Sequence, residues 1–203
     1  MSLYEWMKLL AQQLKETPLL QWIGVGFSVA EVLLARSNKI WLYPAGIVST
    51  VIATYTLFHA GLYAESLLNL YYLAMTIFGW WNWKKYGGGI VQVSFSSSKD
   101  WKTSLAITIV SMGVLYTVLA HYTPSTVPFW DAWVSAAAWA GMWLLARRKV
   151  ENWLFLNVSN AFAIPLLIKK ELPLYALLTI FLFVVAVQGY FRWKKITREH
   201  SAR

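Results

Sequence analysis

The chain lacks cysteine altogether and is poor in charge. The absence of cysteine from 203 residues excludes disulfides, thiolate metal sites and a cysteine nucleophile. Charged residues make up 13% of the sequence and hydrophobic residues 58%, whereas an average soluble domain is about a quarter charged. Acidic residues are the scarcest, since nine Asp and Glu stand against eighteen Lys and Arg. This composition is typical of a polytopic membrane protein.

Further absences limit the chemistry. The sequence contains no phosphate-binding P-loop, so we expect no ATP hydrolysis. His59, His121 and His200 lie far apart in predicted loops or in the tail, so we expect no metal site and no cofactor. The first fourteen residues include Glu5 and Lys8 and therefore lack the unbroken apolar core of a cleavable signal peptide. No group of residues supports an enzyme.

Seven apolar segments are each close to the ~20 residues that a helix needs to cross a bilayer. They lie at 19–35, 40–58, 62–83, 103–120, 128–146, 150–168 and 173–193. We therefore predict an all-α polytopic membrane protein with seven transmembrane helices in one domain over residues 1–203. Residues 2–14 carry apolar side chains at helical spacing, which predicts an interfacial amphipathic helix within 1–18. A frayed terminus is the alternative.

The loops predict the orientation. The N-terminal side of the bundle collects four basic residues, and the other side collects the remaining fourteen of the eighteen. The positive-inside rule places the richer side in the cytoplasm, with the N-terminus outside and the C-terminus inside. This bias also explains the net charge of +9 without a nucleic-acid partner. The longest loop, 84–102, is rich in Gly and Ser and is interpreted as a flexible linker.

The chain contains an internal repeat whose four matches occur in order and at a nearly constant offset. The matching segments are Leu33–Arg36 with Leu144–Arg147, Trp41–Tyr43 with Trp153–Phe155, Leu62–Ala64 with Leu174–Ala176, and Trp83–Lys85 with Trp193–Lys195. We interpret 19–83 as repeat one, 103–120 as a linker helix and 128–193 as repeat two. A linker helix makes two three-helix repeats parallel, and parallel repeats are one known plan of transporters.

Polar residues far from the helix ends are the candidate binding residues, because buried amides and hydroxyls need partners or a wet cavity. In the sixth span, Trp153, Asn157 and Asn160 share one face. The third span presents another face, and the seventh adds one amide; these residues are Asn69, Tyr72, Thr76, Trp80 and Gln188. We expect the two faces to meet near the midplane around a ligand.

The alternative is that these amides only join helices, which is common in membrane bundles. For the whole set, with an amide beside aromatics in three helices, we favour a ligand cavity. Glu31 and Asp131 are the carboxylates within or at the edge of spans, and they do not by themselves establish an ion or proton relay. Transport without coupling to an ion gradient is therefore expected.

The sequence resembles the Pnu family of bacterial vitamin transporters over essentially the whole membrane region. The resemblance is carried by Leu62–Ala64, Gly79–Trp83, Pro128–Asp131 and Arg148–Leu154. It implies two parallel three-helix repeats, similar in plan to SWEET sugar transporters. It also implies facilitated uptake of nicotinamide riboside across the bacterial inner membrane, followed by cytoplasmic phosphorylation that traps the vitamin.

The resemblance also implies binding residues. Asn152, Trp153 and Asn160 match the family pattern, whereas Asn69 and Gln188 are amide-for-amide departures from the nicotinamide riboside branch. Such departures leave a thiamine transporter of the same family as an alternative. A membrane scaffold or membrane-embedded enzyme is the alternative from another class. The expected partners are a small vitamin and membrane lipid, with a homo-oligomer as a further option.

Overall fold

The structure is a computed structural model, and it describes residues 3–59, 63–87 and 93–201. Within these ranges the secondary structure is helical, apart from one isolated β-bridge between Ser94 and Lys149. The helices are α1 (Leu3–Glu16), α2 (Leu19–Arg36), α3 (Leu42–His59), α4 (Tyr63–Gly87), α5 (Ser98–Tyr122), α6 (Pro128–Ala146), α7 (Asn152–Lys169) and α8 (Pro173–Ser201). The predicted all-α class is confirmed. Of the residues used in the sequence predictions, Ser2, Leu62 and positions 88–92 of the 84–102 segment lie outside the described residues.

Among the helices in the described ranges, three are long and apolar enough to cross a membrane by length and composition alone. They are α2, α5 and α8, the last over Pro173–Glu199. The other helices of similar length, α3, α4, α6 and α7, are 18 to 25 residues long and do not reach the same hydropathy.

Six helices form a closed ring. Each of α2, α3, α4, α6, α7 and α8 packs against the next in this order, and α8 packs against α2. Helix α5 lies outside the ring, mainly against α6, and it exposes apolar side chains such as Ile109, Val110 and Val114. Helix α1 packs on α8. The ring therefore surrounds an interior that its members share.

The described parts of the predicted 84–102 linker, 84–87 and 93–102, are more ordered than predicted. Helix α4 continues to Gly87, and a capping box between Ser97 and Asp100 starts α5 at Ser98. Val93 is buried, and its carbonyl accepts a hydrogen bond from Thr197 Oγ1 at 3.1 Å. The interpretation as a flexible linker is therefore wrong for residues 93–97.

Two turns in the ring have the same structure. Asn38 follows α2 and Arg148 follows α6, and both have a φ of 53°. Asn38 N donates to Ala35 O, and Arg148 N donates to Leu145 O, each at 2.9 Å. A left-handed residue after the helix end is a common way to satisfy the last carbonyls. The two turns are equivalent at the offset of 110 residues that also relates Trp83 to Trp193. The structure therefore corrects two of the predicted matches, since it shifts the pairing of Leu33–Arg36 with Leu144–Arg147 by one residue and that of Trp41–Tyr43 with Trp153–Phe155 by two.

A tryptophan cluster, consisting of Tyr43, Trp83, Trp153 and Trp193, fills the end of the ring near these two turns. The three Trp side chains are each 0% exposed, and Tyr43 is 2% exposed. Tyr43 and Trp83 meet edge to face, with ring centroids 5.1 Å apart, and Trp153 and Trp193 do so at 5.6 Å. Large aromatic side chains in such contact seal this end of the interior.

Helix α1 is tied to the opposite end of the bundle. Gln13 Nε2 donates to Glu171 O at 3.0 Å, and Gln13 Oε1 accepts from Leu174 N at 3.4 Å. One amide thereby bridges both sides of the turn between α7 and α8. The N-terminal segment is a docked helix, so the alternative of a frayed terminus is wrong from Leu3 onward.

Candidate functional site

Cavity 1 is an opening of about 730 Å³ at the end of the ring opposite the tryptophan cluster. Its lining includes Asn69 and Tyr72 from α4, Asp131 and Ser135 from α6, and Lys170 from the α7–α8 turn. Its volume lies within the roughly 300–1,000 Å³ of typical small-molecule sites. One amide, one aromatic ring and several hydroxyls can therefore contact a ligand that combines a flat ring with polar groups.

A half-buried ion pair lies at the wall of cavity 1. Lys170 Nζ is 2.7 Å from both carboxylate oxygens of Asp131, and Ser125 Oγ donates to Asp131 Oδ2 at 2.6 Å. Asp131 lies in the first turn of α6, which begins with Pro128. The sequence identified Asp131 as a carboxylate at a helix start. It missed the partner, because Lys170 is 39 residues away and counted only toward the orientation.

On α4, Asn69 has partners on the neighbouring helix. Asn69 Nδ2 donates to Thr54 Oγ1 at 2.9 Å and to Thr50 O at 3.3 Å, both on α3. Its side chain nevertheless lines cavity 1 together with that of Tyr72. The structure thus brings two of the four predicted α4 residues to one cavity.

The other two α4 candidates lie elsewhere. Thr76 is 2% exposed, and its hydroxyl donates to Tyr72 O in its own helix at 2.7 Å. Trp80 lies nearer the tryptophan cluster, and the ammonium group of Lys84 lies 4.9 Å from its ring centre. Neither lines cavity 1.

On α7, the predicted face divides between packing and an open amide. Trp153 belongs to the tryptophan cluster, and Asn152 Nδ2 donates to Lys149 O at 2.6 Å. Asn157, with its amide oriented to satisfy both atoms, donates to Phe183 O at 3.1 Å and accepts from Val187 N at 3.3 Å. These contacts join α7 to α8.

Asn160 differs from its neighbours on α7. It is half-buried, and it makes no hydrogen bond with any residue in the described part of the chain. Of the predicted α7 amides, it is therefore the one without a protein partner in the described ranges, and it is not among the residues that line cavity 1.

Gln188 lies outside this arrangement. It is exposed, and its Oε1 accepts a hydrogen bond from the Arg36 guanidinium, which links α8 to α2. The sequence pattern did not reveal this partner, because Arg36 lies 152 residues away.

The predicted α4 and α7 faces do not pack on each other. Within the described ranges, α4 packs against α3, α5 and α6, whereas α7 packs against α6 and α8. The expected meeting of these faces is therefore wrong, because α6 lies between them in the ring. Residues on α4 and α7 can share a ligand only across the ring interior.

Cavity 2 is a second opening of about 310 Å³ between α2, α3 and α8. Its lining on α2 consists of Gln21, Gly24, Val25 and Ser28. In the register of the repeat, the first three of these correspond to lining residues of cavity 1, namely Asp131, Val134 and Ser135. The two cavities thus occupy equivalent places, cavity 1 at the α4–α6 junction and cavity 2 at the α8–α2 junction.

Similarity to known proteins identifies the family of the chain. The family model described as nicotinamide mononucleotide transporter matches residues 18–195, which span all seven helices from α2 into α8. The chain belongs to this transporter family. Membership makes it a multi-pass membrane protein, in agreement with the predicted resemblance.

Individual relatives of the family are distant but extend over most of the chain. The nicotinamide riboside transporter PnuC of Escherichia coli K12 is 24% identical, covering 91% of this chain and 90% of its own length. PnuC of Neisseria mucosa is 25% identical, covering 85% of this chain and 70% of its own. A crystal structure of the vitamin B3 transporter PnuC superposes with a TM-score of 0.73 at 22% identity, covering 96% and 89% of the two chains. This last similarity shows a common fold.

Proposed function

We propose that the chain takes up nicotinamide riboside across the bacterial cytoplasmic membrane. Cavity 1 carries this proposal, because it opens at one end of a helix ring whose other end is sealed by the tryptophan cluster. Nicotinamide riboside is a flat aromatic cation with an amide and hydroxyl groups. Tyr72 offers a ring for stacking, and Asn69 and Ser135 offer polar partners. The names of the PnuC relatives agree with this substrate.

The charges in cavity 1 favour the riboside over the mononucleotide named in the family description. The two molecules differ by one phosphate group. The lining contains two lysines and two acids: Lys170 is neutralised by Asp131, and the charge of Lys169 is balanced by Glu171, so the lining has no net charge. Phosphate sites in proteins usually present unpaired Arg or Lys groups. Cavity 1 has no arginine among its described lining residues, so an unphosphorylated ligand fits it better.

We also propose that the ring consists of two parallel repeats joined by α5, in a SWEET-like plan. The domains would be 19–83, 103–120 and 128–193, preceded by an interfacial helix within 1–18. The equivalent turns at Asn38 and Arg148, and the equivalent cavities, support this division. Alternating access would then open the sealed end as cavity 1 closes. Asn152, Trp153 and Asn160 would contact the vitamin in different steps of that cycle.

The proposed orientation has the N-terminus outside and the C-terminus in the cytoplasm. Since the chain has no native cysteine, single cysteines can be introduced directly. We expect a membrane-impermeant maleimide to label Lys8→Cys in intact cells and to label Lys195→Cys only after the cells are opened. The reverse labelling pattern would contradict this orientation.

Transport is proposed to run down the substrate gradient, with cytoplasmic phosphorylation trapping the vitamin. Proteoliposomes containing the purified protein should equilibrate labelled nicotinamide riboside in both directions. Encapsulating a riboside kinase with ATP should raise the retained label above equilibrium. Accumulation driven by an imposed proton or sodium gradient, without kinase, would contradict the uncoupled mechanism.

Calorimetry on the purified protein tests the substrate itself. We expect saturable binding of nicotinamide riboside and much weaker binding of its mononucleotide and of thiamine. Preferential binding of thiamine would replace the proposed substrate with the alternative in the same family. Binding of none of these compounds by folded protein would favour a scaffold or a membrane-embedded enzyme.

A further inference from the structure

Glu31 is a carboxylate within a membrane-spanning helix, and none of the contacts described so far involves it. It lies on α2, is half-buried, and makes no hydrogen bond or ion pair with any residue in the described part of the chain. The nearest cation on α2, Arg36, donates to Gln188 on α8 instead. An ionisable group at membrane depth is energetically costly, and such groups commonly mark the path of a substrate or ion.

The carboxylate of Glu31 faces another ring helix beneath cavity 2. A Cβ atom added to Gly46 of α3 would lie 2.5 Å from Glu31 Oε1, so the carboxylate rests against that glycine. Ser28 lies one turn from Glu31 on α2, and Ser49 lies one turn from Gly46 on α3; both line cavity 2. The Glu31–Gly46 contact therefore lies about 5 Å beyond the cavity, toward the tryptophan cluster.

The equivalent contact in the other half of the ring carries no charge. In the register of the repeat, Gly141 corresponds to Glu31, and Leu156 corresponds to Gly46. A Cβ atom on Gly141 would lie 2.9 Å from Leu156 Cγ. Here the glycine is on α6, the equivalent of α2, and the large side chain is on α7, the equivalent of α3. A leucine fills this contact as well as a glutamate does. Packing alone therefore does not require a carboxylate at Glu31.

We propose that Glu31 is the counter-charge for the positively charged ring of the transported molecule and makes cavity 2 a cation subsite across the ring from cavity 1. This inference rests on the proposed function, because it assumes that an aromatic cation passes through the ring. Asp131 of cavity 1 is already paired with Lys170, whereas Glu31 has no cationic partner in the described residues. A carboxylate within a few ångströms favours a cation over a neutral molecule of the same shape.

The test compares a cation with its neutral counterpart. Nicotinamide riboside carries the charge, and its dihydropyridine form has nearly the same shape without it. Binding affinity and initial uptake at low concentration are measured for both in proteoliposomes, with protein-free liposomes as background. We expect Glu31→Gln to weaken binding and uptake of the cation on the order of ten- to hundredfold and to change those of the neutral form less than about twofold. Glu199→Gln, an exposed carboxylate on the α8 tail, is the matched control and should change neither.

Two further substitutions of Glu31 distinguish the effect of its charge from the effect of its size. Glu31→Leu copies the apolar partner of the other repeat and should show the same loss of preference for the cation, whereas Glu31→Asp should keep most of the preference. Equal losses for cation and neutral form, or no loss for either, would overturn the proposal. Failure of both neutral variants to fold, with Glu31→Asp folded, would assign the carboxylate to stability and also overturn it.

The outcome also separates this inference from the proposed function. Uptake of nicotinamide riboside that survives Glu31→Gln would leave the function standing and remove the subsite. If the wild-type protein does not bind nicotinamide riboside but transports thiamine in a Glu31-dependent manner, the proposed substrate is wrong and the cation subsite stands. Wild-type protein that binds neither cation would overturn both.

Discussion

Gly189 lies directly against the indole ring of Trp153, and a Cβ atom on the glycine would be only 2.6 Å from Trp153 Cε2. The same relationship occurs at the equivalent place in the first repeat, where a Cβ atom on Gly79 would lie 2.5 Å from Tyr43 Cε1. Both glycines let an aromatic ring of the tryptophan cluster fit between two helices. The cluster therefore has the same construction in both halves of the ring, with tyrosine in one half and tryptophan in the other.

Replacing Gly189 with alanine tests this close packing. The added methyl group must displace a fully buried ring, and overpacking of this kind costs roughly 1–3 kcal/mol. We expect Gly189→Ala to lower the melting temperature in detergent. The control is Gly113→Ala on α5, where a Cβ would meet nothing within 4 Å. Because alanine is the better helix former, Gly113→Ala should leave the melting temperature unchanged or raise it slightly. Equal effects of the two variants would contradict this account.

The helices were predictable because their signals are local. Apolar runs, breakers and helix starts such as Pro128 placed the ends of α3 and α6 within two residues of the structure. The prediction of a flexible linker failed at residues 93–97 because their order comes from distant contacts. Glu151 accepts hydrogen bonds from Ser96, 55 residues away, and no local pattern of Gly and Ser reveals that.

The candidate site was predictable only in part for the same reason. Helical spacing predicted one α7 face for Asn157 and Asn160, but it could not tell which amide contacts α8 and which has no partner in the described residues. It also could not show that α6 separates α4 from α7, because the order of helices around a ring is a property of long-range packing.

Asn157 and Asn160 should respond differently to alanine. Asn157 bridges two backbone groups of α8, so Asn157→Ala should lower the melting temperature and leave the affinity of folded protein nearly unchanged. Asn160→Ala should keep the melting temperature and weaken nicotinamide riboside binding by about ten- to hundredfold, since a lost hydrogen bond to a buried polar group costs roughly 1–3 kcal/mol. Calorimetry and thermal melting on the same samples measure both. Unchanged affinity in Asn160→Ala would place the ligand elsewhere.

The Asp131–Lys170 pair should behave as a coupled unit. The side chains are 18% and 30% exposed, so removing one partner leaves the other poorly solvated. We expect Asp131→Asn and Lys170→Met each to lower the melting temperature, and the double variant to lose less than the sum. Coupling energies of contacting charged residues are about 0.5–3 kcal/mol. Strict additivity in this double-mutant cycle would show that the pair does not stabilise the wall of cavity 1.

The segment 93–97 should loosen when its contact with Glu151 is weakened. Glu151 Oε2 accepts from Ser96 N at 2.8 Å and from Ser96 Oγ at 2.6 Å, and Glu151 is 8% exposed. Ser96→Ala removes one donor from a buried carboxylate, which costs roughly 1–3 kcal/mol. Hydrogen exchange of the amides at 93–97 should accelerate in Ser96→Ala. The neighbouring exposed Ser98→Ala serves as control, and equal acceleration in both variants would contradict the assignment.

Tyr43→Phe should stabilise the sealed end of the ring and slow transport. The Tyr43 hydroxyl is buried with no hydrogen-bond partner in the described structure, as is Trp153 Nε1 in the same cluster. A buried unsatisfied group costs roughly 1–3 kcal/mol, so the sealed state carries a penalty that opening to water would relieve. Removing the hydroxyl removes this penalty, so the sealed state becomes more stable and its opening less favourable. We therefore expect Tyr43→Phe to raise the melting temperature and to lower the initial uptake rate.

Tyr71→Phe is the matched control, since the Tyr71 hydroxyl donates to Trp139 O at 3.1 Å between α4 and α6. That variant should lower the melting temperature instead. A destabilised Tyr43→Phe protein would mean that its hydroxyl has a partner in solution, and faster uptake would mean that opening of the tryptophan cluster does not limit transport.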